Sequence, residues 1–179
     1  ARSAETLSKY QERFNVTTDN QAAVRDADVV IFAVKPWLME DVVKDVAPCM
    51  NPDRQIVVSV AAGVSFSQLS EWLGRADAVM FRVIPNTAIE IGSGVTFVSS
   101  HNASETQREM IVGMFAEMGY VQEVGEGMMA SGTALASCGI AYAMKYIQAA
   151  ATGGELLGFD KEQSEKIVEY TVKGAAELL

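Results

Sequence analysis

The chain has 179 residues, 49% of them hydrophobic and 21% charged, a composition that suits a packed core and excludes wholesale disorder. Its net charge of −9 excludes broad, sequence-independent nucleic-acid binding, which needs a basic surface, but not a phosphate-bearing cofactor held by a few local groups. No apolar run is long enough to cross a bilayer, and Cys49 and Cys138 stand apart without metal-like spacing, so neither a membrane span, a disulfide nor a metal centre is expected, and a reducing, cytoplasmic setting is.

The chain opens on Ala1, not Met, and a helix-like segment begins near Ala4; with no basic stretch ahead of an apolar one, it reads as a fragment without a signal peptide. Asp28 to Val34 is a nearly continuous β-branched run, suited to a strand buried on both faces. After Pro36, Met39, Val42, Val43 and Val46 recur at helical spacing, with Asp41 to Asp45 as the solvated face and Pro48 as the stop. Ile56 to Val60 predicts a second buried strand, followed by a tight turn at Ala61-Ala62-Gly63. Ser65 and Gln68 have capping-box spacing and open a short helix through Trp72. Val79 to Ile84 predicts a third strand, stopped by Pro85, and Val95 to Ser99 a fourth.

His101 falls in the connection that follows and reads as a surface residue. Ser104 with Gln107 repeats the capping-box spacing. Met110, Ile111, Met114, Phe115 and Met118 then form one apolar face, the methionines being explained by core packing, and Gly119 supplies the stop. Tyr120 to Val124 predicts a last strand. Strands alternating with helices imply a parallel sheet with helices on both faces. From Glu126 onward no strand signal remains. Small residues dominate Ala130 to Ala151, Gly158 breaks the pattern, and Asp160 with Gln163 caps a final helix. The expected organisation is an α/β domain over residues 1–124 and a helical domain over 125–179, packed tightly or against a second subunit.

In an open parallel sheet, ligands bind outside the carboxyl ends of the strands. Three such ends carry small residues or prolines that let a ligand approach the backbone: Lys35-Pro36, Ala61-Ala62-Gly63 and Pro85-Asn86-Thr87. Each alone is more simply an ordinary turn; their occurrence at three ends carries more weight. Arg2-Ser3, with no acidic neighbour, sits where a dinucleotide fold meets the adenosine ribose, a pattern that favours the 2′-phosphate of NADP; taken alone, a solvated terminal Arg is the simpler reading. No Gly-rich phosphate loop is present, and Gly125-x-Gly127 lacks the strand-turn-helix context of one. A single His and no partnered Ser or Cys make triad chemistry unsupported.

Val34-Lys35-Pro36, Ser59 to Val64 and Arg82 to Thr87 resemble, in order and at comparable intervals, three signatures of the pyrroline-5-carboxylate reductases. Thr133 to Tyr142 is similar to a fourth, the Ser-Gly-Ser-Gly-Pro-Ala-Tyr region, with Ala136, Ser137 and Cys138 in place of other small residues and Ile140 in place of Pro. The resemblance implies a Rossmann-type NADP-binding sheet, incomplete at the N-terminus, followed by an all-helical dimerisation domain, incomplete at the C-terminus. It implies reduction of the imine of pyrroline-5-carboxylate to L-proline by NADPH, with NADH as the alternative donor, in a homodimer or higher homo-oligomer. It places Arg2 and Ser3 by the 2′-phosphate and Asn20 by the adenosine ribose. Ala33, Val34, Lys35 and Pro36, together with Val60, Ala61 and Ala62, would line the cofactor, and Asn86 would approach the nicotinamide. Glu126 and Thr133 fall by the substrate, Glu126 as a carboxylate that favours the iminium cation. Absent are the Gly-rich pyrophosphate loop and the loop that grips the substrate carboxylate, so this chain alone is expected to be inactive. Three rival readings are another two-domain NADP-linked reductase, a non-catalytic NADPH-binding or oligomerisation protein, and a plain structural α/β domain.

Overall fold

Among the described residues, five strands lie side by side in chain order: β1 (Val29–Phe32), β2 (Ile56–Ser59), β3 (Met80–Pro85), β4 (Gly94–His101) and β5 (Gly119–Glu123). The computed structural model describes residues 4–51 and 53–179. The short helices α1 (Ala4–Ser8) and α2 (Asn20–Val24) precede β1. Helix α3 (Met39–Val46) links β1 to β2 and α4 (Phe66–Leu73) links β2 to β3, and these three strands run parallel. Their carboxyl ends therefore share one edge.

The expected all-parallel sheet is corrected at the next step, because β4 pairs antiparallel with β3. The segment between them holds only a 3-10 turn, Thr87–Ile91, and a parallel neighbour needs a crossover of about a dozen residues or more. Helix α5 (Glu105–Ala116) provides that length after β4, and β5 accordingly runs parallel to β4.

Side-chain alternation sorts the core into two clusters. One holds Val30, Phe32, Met80 and the inward residues of α3 and α4, including Val43 and Leu69. The other holds Val58, Phe81, Val83 and Val98 with Ile111 and Phe115 of α5. On α5 the expected methionine stripe is also corrected: Met110 and Met114 are 43% and 42% exposed, while Ile111 and Phe115 carry the packing. The apolar face is wider than the sheet it covers, so its margin stays in solvent. Gly119 starts β5 with φ +135 and does not cap α5. His101 is the last residue of β4, stacked on Phe66 with ring centroids 5.4 Å apart, not a loop residue.

All three anticipated capping boxes form with both reciprocal hydrogen bonds, at Ser65–Gln68, Ser104–Gln107 and Asp160–Gln163. Arg75, just past the left-handed Gly74 cap of α4, bridges Asp53 and Asp77, and its guanidinium lowers the Asp77 carboxyl below the ordinary value. Gln55, 1% exposed, donates to the carbonyls of Val24 and Ala27 at 2.5 and 2.7 Å and accepts from the Asn51 N–H at 2.7 Å. It closes the turn that delivers α2 to β1. Gln55→Leu strands those groups, and an expected loss of about 2–4 kcal/mol is measurable by urea denaturation.

The chain divides into two compact units between Thr133 and Ala134. Helix α6 (Met129–Gly132) belongs to the first: Met129 is 1% exposed, and an added Cβ on Gly132 would fall 2.7 Å from the Phe97 ring. This division lies beyond the boundary expected near residue 124. The second unit is a hairpin of α7 (Gly139–Leu156) and α8 (Lys161–Glu177), broken at Gly158 with φ +103. Gly154 lets the helices close, since a Cβ there would meet Ser164 Oγ at 2.8 Å. No strand follows β5 among the described residues, and no helix among them is long and apolar enough to cross a membrane.

Candidate functional site

Phe32 pairs with Ser59 at the carboxyl ends of β1 and β2, and the Val60 N–H continues the ladder to the Phe32 carbonyl at 3.2 Å. Beyond that point the two chains part. The gap is a groove of about 530 Å³ lined by Ala33, Val34, Lys35, Pro36 and Leu38 on one side and Val60, Ala61 and Ala62 on the other. Its small side chains keep backbone accessible, which a strand end with bulky residues does not. Lys35 holds an extended conformation, φ −62 and ψ 145, and Pro36 then starts a 3-10 turn, Pro36–Leu38. Lys35 is exposed and has no ion-pair partner among the described residues. The structure thus brings seven of the anticipated cofactor residues into one groove. Leu38 was not anticipated; the Pro-started turn, which carries the chain back across the strand end, is the signal for it.

Asn86 follows β3 at the same edge of the sheet but does not line the groove. It is 8% exposed, and its Oδ1 accepts from the N–H groups of Ala88 and Val95, each at 3.2 Å, capping the turn before β4. Asn20 is the exposed first residue of α2, after the Asp19 cap, and also lies outside the groove. Arg2 and Ser3 fall outside the described residues.

Glu126 stands in a different cleft, with Ser99, His101, Arg108 and Glu123. Its Oε1 accepts from Arg82 Nη1 at 3.0 Å and from the Phe66 N–H at 2.7 Å. Arg82 and Phe66 were not foreseen as its partners. The signal was present: one Arg in the otherwise apolar run VMFRVI must find a counter-charge if that strand is buried. Thr133, after α6, donates its hydroxyl to the Met129 carbonyl at 2.8 Å and starts a π-helical segment, Thr133–Cys138.

Comparison with known proteins bears on the family and the fold. Residues 126–179 match the family model for pyrroline-5-carboxylate reductase dimerisation, and residues 1–63 match that for NADP oxidoreductase, coenzyme F420-dependent. A solved pyrroline-5-carboxylate reductase from Coxiella burnetii is 30% identical and superposes with a TM-score of 0.92, over 99% of this chain and 67% of its own. The chain belongs to the pyrroline-5-carboxylate reductase family. A curated pyrroline-5-carboxylate reductase from Synechocystis is 34% identical over 95% of this chain and 62% of its own length, and one from Pseudomonas aeruginosa is 32% identical over 98% and 65%. The chain thus spans about three-fifths of the curated relatives it matches. A Plasmodium falciparum pyrroline carboxylate reductase solved with NADP bound is 26% identical, with a TM-score of 0.85 over 90% of this chain and 61% of its own. In family terms, the sheet is the Rossmann-like NADP-binding sheet, and the helices that follow form the pyrroline-5-carboxylate reductase dimerisation domain.

Proposed function

We propose that the complete protein reduces 1-pyrroline-5-carboxylate to L-proline with NADPH, the last step of proline formation. The observation that carries this reading is the groove between β1 and β2 in a chain of this family. Its residues fit a dinucleotide. Ala33, Ala61 and Ala62 leave room for a sugar or ring against the backbone, and the Lys35 ammonium stands ready for a phosphate. When bound, the dinucleotide supplies hydride to the imine carbon. The protonated imine is already electrophilic, so the chain's task is to bind, orient and exclude water, not to move protons. That suits a groove whose lining holds one titratable side chain, Lys35.

In this reading Arg2 and Ser3 hold the 2′-phosphate, Asn20 borders the adenosine ribose, Asn86 lies toward the nicotinamide, and Thr133 borders the imine. Two such chains associate through the helical unit, whose hairpin buries Ala151 and Ser164 but leaves Tyr142, Tyr146, Leu156, Leu157, Ile167 and Tyr170 exposed. Apolar surface of that extent on one hairpin suits a subunit interface.

The test is oxidation of NADPH, and separately of NADH, by the full-length protein with pyrroline-5-carboxylate. Turnover supports the reading. NADPH binding without turnover replaces it with a non-catalytic role, and reduction of a different substrate replaces it with another NADP-linked reductase. A charge reversal gives a second check. Lys35→Glu is expected to weaken NADPH binding roughly tenfold, about 1.4 kcal/mol, in a fluorescence titration, with a smaller effect at high salt.

A further inference from the structure

Glu126 opens a helical run that reaches Thr133 without a linker. The 3-10 turn Glu126–Met128 passes directly into α6, and Thr133 follows. Both ends of the run are tied to the sheet. At its start, the Glu126 carboxylate holds Arg82 of β3 and the first N–H of α4. At its end, Gly132 lies flat on Phe97 of β4. Thr133 then bonds back to Met129, four residues earlier, as the helix widens to π geometry; back-bonding of this kind bends helices, and π segments occur often at functional sites.

Arg82 makes the first tie specific. Its side chain is 10% exposed, its Nε is buried without a partner, and Glu126 is the carboxylate paired with it among the described residues. Through one oxygen, Oε1, the Glu126 carboxylate bridges a guanidinium and a backbone amide, the arrangement of a side chain that ties two elements together. We infer that the Arg82–Glu126 ion pair is a positioning device that fixes where Thr133 stands, acting on turnover through that residue and without touching substrate. Gly132 seated on Phe97 and Met129 at 1% exposure anchor the later part of the run, and the ion pair anchors its start. The inference rests on the reading above that Thr133 borders the imine. A displacement of about 1 Å at such a position is enough to cost on the order of a hundredfold in rate.

The experiment uses the full-length protein with Glu126→Gln, Glu126→Asp and Arg82→Lys, measuring three quantities: kcat/KM for pyrroline-5-carboxylate, the Kd for NADPH, and amide hydrogen exchange over residues 127–133. The glutamine variant is expected to lower kcat/KM for the imine roughly tenfold or more, to leave the NADPH Kd within about twofold, and to speed exchange in the run. The aspartate and lysine variants keep both charges and are expected to recover part of the loss. Should Glu126→Gln not be recovered folded, those two decide: a larger change for the imine than for NADPH supports the inference. Imine and NADPH constants that worsen together, or exchange over 127–133 that stays at the parental rate, overturn it. A parent protein without turnover on pyrroline-5-carboxylate removes the proposed function, and the exchange measurement then decides by itself whether the ion pair holds the run.

Discussion

Ala62→Trp in the full-length protein is expected to weaken NADPH binding about a hundredfold, roughly 2.7 kcal/mol, while its thermal midpoint stays within a few degrees of the parent. Ala62 is exposed in the turn after β2 and lines the groove, so bulk added there fills space that a ligand would use without disturbing either core cluster. Indole is among the largest apolar bodies a single substitution can add. The neighbouring Ala61, at 4% exposure and packed in the core of α3 and α4, does not allow so clean a test, because enlarging it overpacks the interior as well. NADPH affinity unchanged by the indole, in a fluorescence titration, would place the cofactor elsewhere and remove the groove from the account. A joint loss of affinity and stability would show that the turn itself had collapsed.

Much of this site is legible in the sequence because it depends on short-range features. β1 and β2 announce themselves as β-branched runs, and each is followed within a few residues by the Pro or small residues that open the groove. Parallel pairing then brings Lys35 and Ala61 together, since neighbouring parallel strands present their carboxyl ends on one edge. The capping boxes are legible for the same reason: a side chain and an N–H three residues apart decide them locally. The antiparallel turn at β4 was also within reach, from the shortness of the Asn86–Ser93 connection, but alternation of elements alone does not weigh connection length.

What stayed hidden depends on contacts across the chain. Asn86 has the right place at the sheet edge, yet its carboxamide is engaged by the N–H groups of Ala88 and Val95, and the second of these exists only once β4 has folded back. Glu126 lies 44 residues from Arg82 and 60 from Phe66. No local pattern encodes those distances. A carboxylate next to a family motif invites a catalytic reading, and only the fold shows that a buried guanidinium also pairs with it. The methionines of α5 illustrate the limit of periodicity: it identifies the apolar side of a helix but not how wide a strip the sheet covers.

Gly119→Ala is expected to cost more than any other single methyl group in the first unit, about 4 kcal/mol or more, in chemical denaturation. Two effects add. Gly119 has φ +135, which L side chains rarely adopt and which costs roughly 1–3 kcal/mol. Its Cβ would also fall 2.1 Å from the Gly94 carbonyl oxygen and 2.5 Å from the Gly94 nitrogen. Those are backbone atoms of the paired strand, and Gly94 cannot retreat, because its own Cα faces Ile89 so closely that a Cβ there would meet the Ile89 side chain at 2.4 Å. Gly113→Ala is the control: it sits inside α5 with nothing within 4 Å and is expected to gain about 0.5–1 kcal/mol. The consequence reaches the site. Gly94 and Gly119 are the first pair in the register of β4 with β5, which runs on to Val98 and Glu123 and delivers Val124 to the Val98 carbonyl. A slip of one residue reverses which face each side chain takes and carries Glu126 away from Arg82. Gly119→Ala should therefore also speed amide exchange over residues 127–133, whereas a variant that loses stability with that exchange unaltered would show that the β4–β5 register and the Glu126 tie are independent.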